Sequence, residues 1–189
     1  MIGRPDRQLP IIHRTRLRDP SKLFKVEQVD LEFSNGERRT FERMQASGLG
    51  AVIVVPMQDD KTVLLVREYA VGLHHYEIGL PKGRLEPGET VLEGAQRELK
   101  EEIGFGAGEL LELTRLSLAP GYMTHITRVV LARGLYPEKL PGDEPEELEV
   151  VPWPIDDLWT IITRADCTEG RTIAALYIAR DFLAKEKNP

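Results

Sequence analysis

The stretch GRLEPGETVLEGAQRELKEEIGF, residues 83–105, sets Glu89, Arg97, Glu98, Glu101 and Glu102 at fixed intervals between Gly83 and Gly104. Two glycines and a proline at its start predict a tight loop, and Glu89 with Thr90 offers acceptors to cap a helix over 90–103. On that helix Leu92, Ala95, Leu99 and Ile103 recur at three- and four-residue spacing, the expected buried stripe, with Gly104 placed as a C-terminal cap. Glu93, Arg97 and Glu101 step by four, so the arginine can pair with an acid on either side, each exposed pair contributing roughly 0.2–0.5 kcal/mol. Glu98 and Glu102 are also four apart, but they are like charges expected on the shoulder of the apolar stripe, where burial hinders screening. They need a cation. Oxygen-only ligands suit a hard ion such as Mg²⁺ or Mn²⁺, which keeps several waters and completes its shell with substrate phosphates. A bare Glu-x-x-x-Glu is more often a solvated acidic face; the whole set is what points to metal-dependent pyrophosphate cleavage.

Gly, five residues, Glu, seven residues, Arg-Glu, an apolar residue, any residue, Glu-Glu, any residue, Gly, apolar is the signature of the Nudix hydrolases. This chain resembles it at every specified position. The resemblance implies an α+β fold, the Nudix-type α/β/α sandwich around a central mixed sheet, and hydrolysis of a nucleoside diphosphate linked to another group. It implies Glu98 and Glu102 as metal ligands, the carbonyl of Lys82 as a further ligand, and Glu101 in the catalytic set as an occasional extra one. Arg97, also in that set, is implied to brace the loop against the helix together with Glu89, and Gly83 and Gly104 to shape the motif. Pro120, sixteen residues beyond Gly104, is similar to a feature of the ADP-ribose pyrophosphatase group. The segments 21–44 (SKLFKVEQVDLEFSNGERRTFERM), 65–72 (LVREYAVG) and 136–146 (YPEKLPGDEPE) resemble the bacterial ADP-compounds hydrolases, so the likeness runs along most of the chain. The implied substrates are ADP-ribose, NADH and diadenosine triphosphate, with release of AMP. One residue departs: Lys82 stands where the ADP-ribose enzymes usually carry a small residue. Pro81-Lys82-Gly83 also looks like the diadenosine-polyphosphate and diphosphoinositol-phosphate branches, which leaves longer phosphate chains open; the other reading is that the Lys82 side chain points to solvent.

Further residues bear on the same chemistry. Arg67 closes the second central strand, near a substrate-binding arginine of the resembling branch; its alternative is a surface ion pair with Glu68. The loop from Pro120 to Met123 is expected to border the substrate, so Pro120 and Met123 join Arg67 as substrate-binding candidates. Hydrolysis also needs a group to take a proton from the attacking water, and a loop carboxylate with a raised pKa can do so. Within GDEPEELE, residues 142–149, Glu144 is assigned as general base and Glu146 as an added metal ligand, following the two loop glutamates of that branch; a solvated acidic turn is the alternative. A Nudix-fold module that senses a nucleotide without cleaving it would not require all of these acids.

The chain has 189 residues, 41% of them apolar, enough for one full core. A net charge of −6 argues against nucleic acid or an acidic membrane surface as a partner. No apolar run approaches the ~20 residues of a membrane span, no secretory stretch opens the chain, and Cys167 is the only cysteine, so a cytoplasmic protein is expected. The four histidines show no metal spacing, and neither a serine-nucleophile elbow nor a Walker loop is present. Residues 1–45 are expected to form a basic tail (1–22) and an antiparallel hairpin (24–33 and 38–44) about Ser34-Asn35-Gly36-Glu37. In the resembling group such a sheet makes a homodimer and lends residues to the partner's adenosine pocket. Residues 46–189 are expected to form the catalytic domain, with strands at 51–57, 63–66, 116–119 and 127–132. Helices are expected at 155–164 and at 172–185, the latter burying Ile173, Leu176, Ile178 and Phe182.

Overall fold

The Asn35-Gly36 turn, with Gly36 at φ 82, returns strand β1 (Lys25–Glu32) on itself as β2 (Arg38–Gln45), an antiparallel pair that forms its own two-stranded sheet. This is a computed structural model that describes residues 25–46 and 49–187; the basic tail expected at 1–22 lies outside them. Two apolar runs follow, β3 (Ala51–Pro56) and β4 (Thr62–Ala70), then β5 (His75–Gly79), β6 (Lys82–Arg84) and helix α1 (Val91–Glu98), which runs into a π-helical turn over Leu99–Ile103. The remaining elements are β7 (Phe105–Ser117), β8 (Ile126–Pro137), β9 (Glu149–Pro154), α2 (Leu158–Ile162) and α3 (Gly170–Lys187).

Strand periodicity explains the layering. On β3 and β4, Ile53, Val55, Val63 and Leu65 enter one core with Leu158 and Ile161 of α2 and Ala175, Leu176 and Ala179 of α3. Their alternates Val54, Leu64 and Val66 enter a second core with Ala95, Leu99 and Ile103. Every residue of β3 is therefore buried, as an apolar run covered on both faces requires. The strands form a mixed sheet, β6-β3-β8-β7, in which β3 and β8 are parallel, and an antiparallel sheet, β5-β4-β9. The α/β/α sandwich read from the sequence is the fold observed, with the hairpin in front of it.

Several local expectations change. Leu92 is 40% exposed; the buried residues of α1 are Gly94, Ala95 and Glu98, because the helix lies so close to the preceding loop that a Cβ at position 94 would fall 2.5 Å from Leu85 Cδ2. Glu98 and Glu102 thus sit within the buried face, not on its shoulder, each only 6% exposed. Glu93 does not pair with Arg97; it closes a capping box with Thr90. The helical stretch ends in a π turn at Gly104, which takes the left-handed conformation at φ 75. Strands β7 and β8 are far longer than expected, with a bulge between Glu112 and Thr114; their outer halves alternate with charged residues and carry no continuous apolar run to mark them. Helix α2 is short, since the chain is still turning at Ile155 and Asp156 and the helix starts only after its N-cap Asp157. In α3 the buried stripe is Thr172, Ala175, Leu176 and Ala179, leaving Ile173 and Ile178 half-buried at its margin. Among the described residues no helix is long and apolar enough to cross a membrane.

Candidate active site

Pairing of β6 with β3 sets Gly83 opposite Val52, and a Cβ at Gly83 would lie 2.0 Å from Glu98 Oε1. A glycine is therefore required for the carboxylate of Glu98 to lie against the strand. The loop that follows is closed by Glu89, whose Oε2 accepts from the Glu86 amide at 2.8 Å. Arg97 then fastens loop to helix: Nε and Nη2 donate to the two oxygens of Glu89, Nη2 also to the Arg84 carbonyl at 2.9 Å, and Nη1 to Glu98 (2.7 Å) and Glu101 (2.9 Å). Hydrogen bonding to Glu89, against the opposing effect of burial, holds the Arg97 guanidinium well above its usual range and the Glu89 carboxyl below its own. Glu89, Arg97, Glu98 and Glu101 are thus one connected cluster.

Glu102 lies behind it. Its Oε1 accepts from the Lys82 amide at 3.3 Å, while Oε2 is buried with no hydrogen-bond partner. Burial is the main reason that the carboxyls of Glu98 and Glu102 are both pushed above the ordinary carboxylate range, and each feels the other directly. Among the described residues no three acidic or histidine side chains converge on one point as they stand, since Glu98 is drawn to Arg97 and Glu102 to the Lys82 amide. The donor set nevertheless fits a hard divalent ion: two touching buried carboxylates, one of their oxygens unpartnered, beside a strand backbone.

A cleft of about 950 Å³ opens over this cluster, lined by Leu49, Lys82 to Gly88, Arg97, Glu98, Glu101 and Pro141 to Glu144. Glu144 reaches it from the loop between β8 and β9, and burial, then the carboxylates of Glu68 and Asp143, raise its pKa despite Lys82. Glu146 does not face the cleft. It lines a smaller neighbouring cavity with Glu101, Lys139 and Glu144, where Tyr76 Oη donates to its Oε1 at 2.6 Å.

The Lys82 side chain does not point to solvent: its Nζ donates to Glu68 Oε2 at 2.8 Å. Arg67 does not pair with Glu68. Alternation along β4 turns Arg67 the other way, to Glu149 (3.3 Å) and to Asp166 (2.9 Å), where its side chain is 11% exposed. Pro120 and Met123 do not line the cleft either; the loop that carries them docks on the hairpin, with the Met44 amide donating to the Tyr122 carbonyl at 2.7 Å and the Thr124 amide to the Met44 carbonyl at 3.1 Å. Tyr76 escaped the sequence reading, and Glu68 entered it only as an alternative partner for Arg67, not as a residue of the site. Glu68 had a signal, since it follows Leu64 and Val66 at strand period on the face that meets α1; Tyr76 had none.

The chain is similar to known proteins along most of its length. Residues 49–173 match the NUDIX domain, and residues 10–43 match the NudE-type Nudix hydrolase N-terminal domain. The chain is 48% identical over 176 residues to the ADP compounds hydrolase NudE of Escherichia coli (strain K12), covering 93% of this chain and 94% of that protein. It is 30% identical over 157 residues to the ADP-ribose pyrophosphatase of Bacillus subtilis (strain 168), covering 82% and 84%. The crystal structure of an ADP compounds hydrolase superposes with a TM-score of 0.83 at 47% identity, over 96% of this chain and 98% of that one. A loop and helix laced together by Arg97 under a carboxylate-lined cleft, carried on a sandwich matched over nearly its whole length, make this chain a member of the Nudix hydrolase family.

Proposed function

We propose that the enzyme cleaves the pyrophosphate bond of ADP-linked compounds, with ADP-ribose, NADH and diadenosine triphosphate as substrates, and releases AMP in a reaction that requires Mg²⁺ or Mn²⁺. The burial of Glu98 and Glu102 against each other, with Glu102 Oε2 left unpartnered, carries this reading. The names of the relatives support the substrate class.

Glu98 and Glu102 would hold the ion together with the Lys82 carbonyl, and Glu101 would add a ligand when substrate is present. When bound, the divalent ion supplies positive charge that stabilises the attacking and leaving oxygens. Arg97 and Glu89 keep the loop from moving away from the helix. Glu144, at the rim of the cleft with its pKa already raised, takes a proton from water as the water oxygen bonds to phosphorus; the bridging P–O bond breaks and its electron pair leaves with the departing phosphate. For Glu146 to serve as an added ligand, the loop has to release Tyr76. Arg67 would reach substrate only after giving up Glu149 and Asp166, and Pro120 and Met123 only through the hairpin on which their loop docks. We further place the division between hairpin region and catalytic domain at 45/46, make the hairpin the site of homodimerisation, and assign the enzyme to the cytoplasm.

An equimolar mixture of ADP-ribose, NADH and diadenosine triphosphate, incubated with the protein in Mg²⁺ or in chelator and separated by chromatography, tests the proposal. AMP formed only with metal is the expected result; nucleotide bound but left intact would mean a sensing module.

A further inference from the structure

Lys82 is an ammonium set among carboxylates. Glu68 Oε2 accepts from it at 2.8 Å, and the nearby charges that act on it are Glu102 and Glu169, with Glu144 also within its field. Its side chain is 23% exposed. Gly79 lies beside it: a Cβ there would crowd Thr172 Oγ1 at 3.3 Å and meet Lys82 Nζ at 3.9 Å, an ordinary contact. Of the acids around it, Glu169 already has Arg171 at 2.6 Å. Two arginines line the cleft as well: Arg84, which is exposed, and Arg97, which is spent on Glu89, Glu98, Glu101 and the Arg84 carbonyl. Lys82 alone stands as a cation among the groups that act most strongly on Glu102.

We propose that the Lys82 ammonium, held by Glu68, is a fixed cation of the cleft whose charge sets how tightly Glu98 and Glu102 take a divalent ion. The proposal rests on the metal site assigned above. A resident positive charge repels an incoming divalent ion and offsets part of the carboxylates' attraction, so the site binds its metal weakly until substrate phosphates join it. Lys82 then tunes metal loading from within the motif and does not contact phosphate.

Mn²⁺ binding to the substrate-free protein, followed by electron paramagnetic resonance, tests this. Relative to wild type, Lys82→Gln is expected to bind Mn²⁺ about tenfold more tightly and Glu68→Gln about tenfold more weakly. Lys82→Arg and the double variant K82Q/E68Q are expected to stay near wild type, because each leaves the sum of charges unchanged. Should Lys82→Gln fail to fold with Glu68 unpaired, Glu68→Gln and the double variant decide alone. Equal Mn²⁺ affinity in wild type, Glu68→Gln and the double variant overturns the proposal. So does a folded Lys82→Gln with unchanged Mn²⁺ affinity and a raised KM, which would make Lys82 a phosphate contact. Wild type that binds no Mn²⁺ overturns the metal site itself, a different failure.

Discussion

Glu102 is a carboxylate whose surroundings oppose its charge: it is 6% exposed, it abuts Glu98, and one oxygen has no partner. Such a group weakens the empty fold and is retained for what it binds. Glu102→Gln should therefore leave the melting temperature in chelator unchanged or higher, abolish any rise on adding Mg²⁺, and lower turnover at least about a hundredfold, the loss that follows when several kcal/mol of charge stabilisation is removed. A large fall in melting temperature with turnover intact would count against the assignment. Gly83 makes the complementary case by steric means. Since a Cβ would stand 2.0 Å from Glu98 Oε1 and 2.3 Å from its Cδ, Gly83→Ala has to swing the carboxylate aside. We expect a destabilisation of about 1–3 kcal/mol, typical of overpacking, and a weaker response to metal, both measurable by thermal melts with and without Mg²⁺. Wild-type metal response in Gly83→Ala would show that Glu98 is not held where the ion binds.

Asp166 joins elements that are distant in sequence. It lies between α2 and α3, and its carboxylate binds Arg164 through Nε (2.7 Å) and Nη2 (2.8 Å) and Arg67 of β4 at 2.9 Å across a separation of 99 residues. The Arg164 hydrogen bonds, with Arg67 adding to them against the cost of burial, bring its pKa from 3.8 to about 2. A folded pKa below the unfolded one contributes stability that is present above 3.8 and is lost as pH falls through that value toward 2. Asp166→Asn should therefore be less stable than wild type at pH 7 in urea titrations, and the gap should narrow as pH drops below 4; a gap independent of pH would assign the effect to shape, not charge. This network also shows what the sequence could disclose. Much of the catalytic loop and helix was legible because the partners are neighbours: Thr90 caps, Glu89 and Arg97 lie eight apart, and Gly104 ends the helical stretch, although Glu93 caps and does not pair with Arg97. The partners of Arg67, read as a substrate-binding candidate or an ion pair with Glu68, were not legible, because only strand alternation and the distant positions of Glu149 and Asp166 decide which way it turns. The π turn, the burial of Glu98 and Glu102 at the centre of their face, and the outer halves of β7 and β8 depend likewise on tertiary packing that local periodicity does not carry.

At the scale of the whole molecule, the hairpin is the part whose stability the rest of the chain does not explain. Direct pairing of its strands puts Val26, Gln28, Asp30 and Glu32 on one face with Met44, Glu42, Thr40 and Arg38, and there Asp30–Thr40 and Glu32–Arg38 hydrogen bonds suit water. The other face carries Val29 opposite Phe41, with Leu31 and Phe33 beyond, and Phe33 meets Phe41 edge to face at 6.3 Å. Leu31, Phe33 and Phe41 are 42%, 47% and 46% exposed, and the sheet joins neither of the other two. A two-stranded ribbon is marginal in water and an apolar face of this kind calls for a cover, which a second copy of the same ribbon would supply with matching chemistry. The pair Phe33→Asp and Phe41→Asp should thus shift the mass measured by light scattering from twice the 21.4 kDa chain toward that value, while leaving the catalytic core's melting transition in place. Because the hairpin also holds the Pro120–Met123 loop through Met44, the same variant should lose affinity for substrate more than it loses turnover at saturation. A wild-type chain that scatters as a monomer at every concentration would refute the dimer and leave the apolar face in need of another cover.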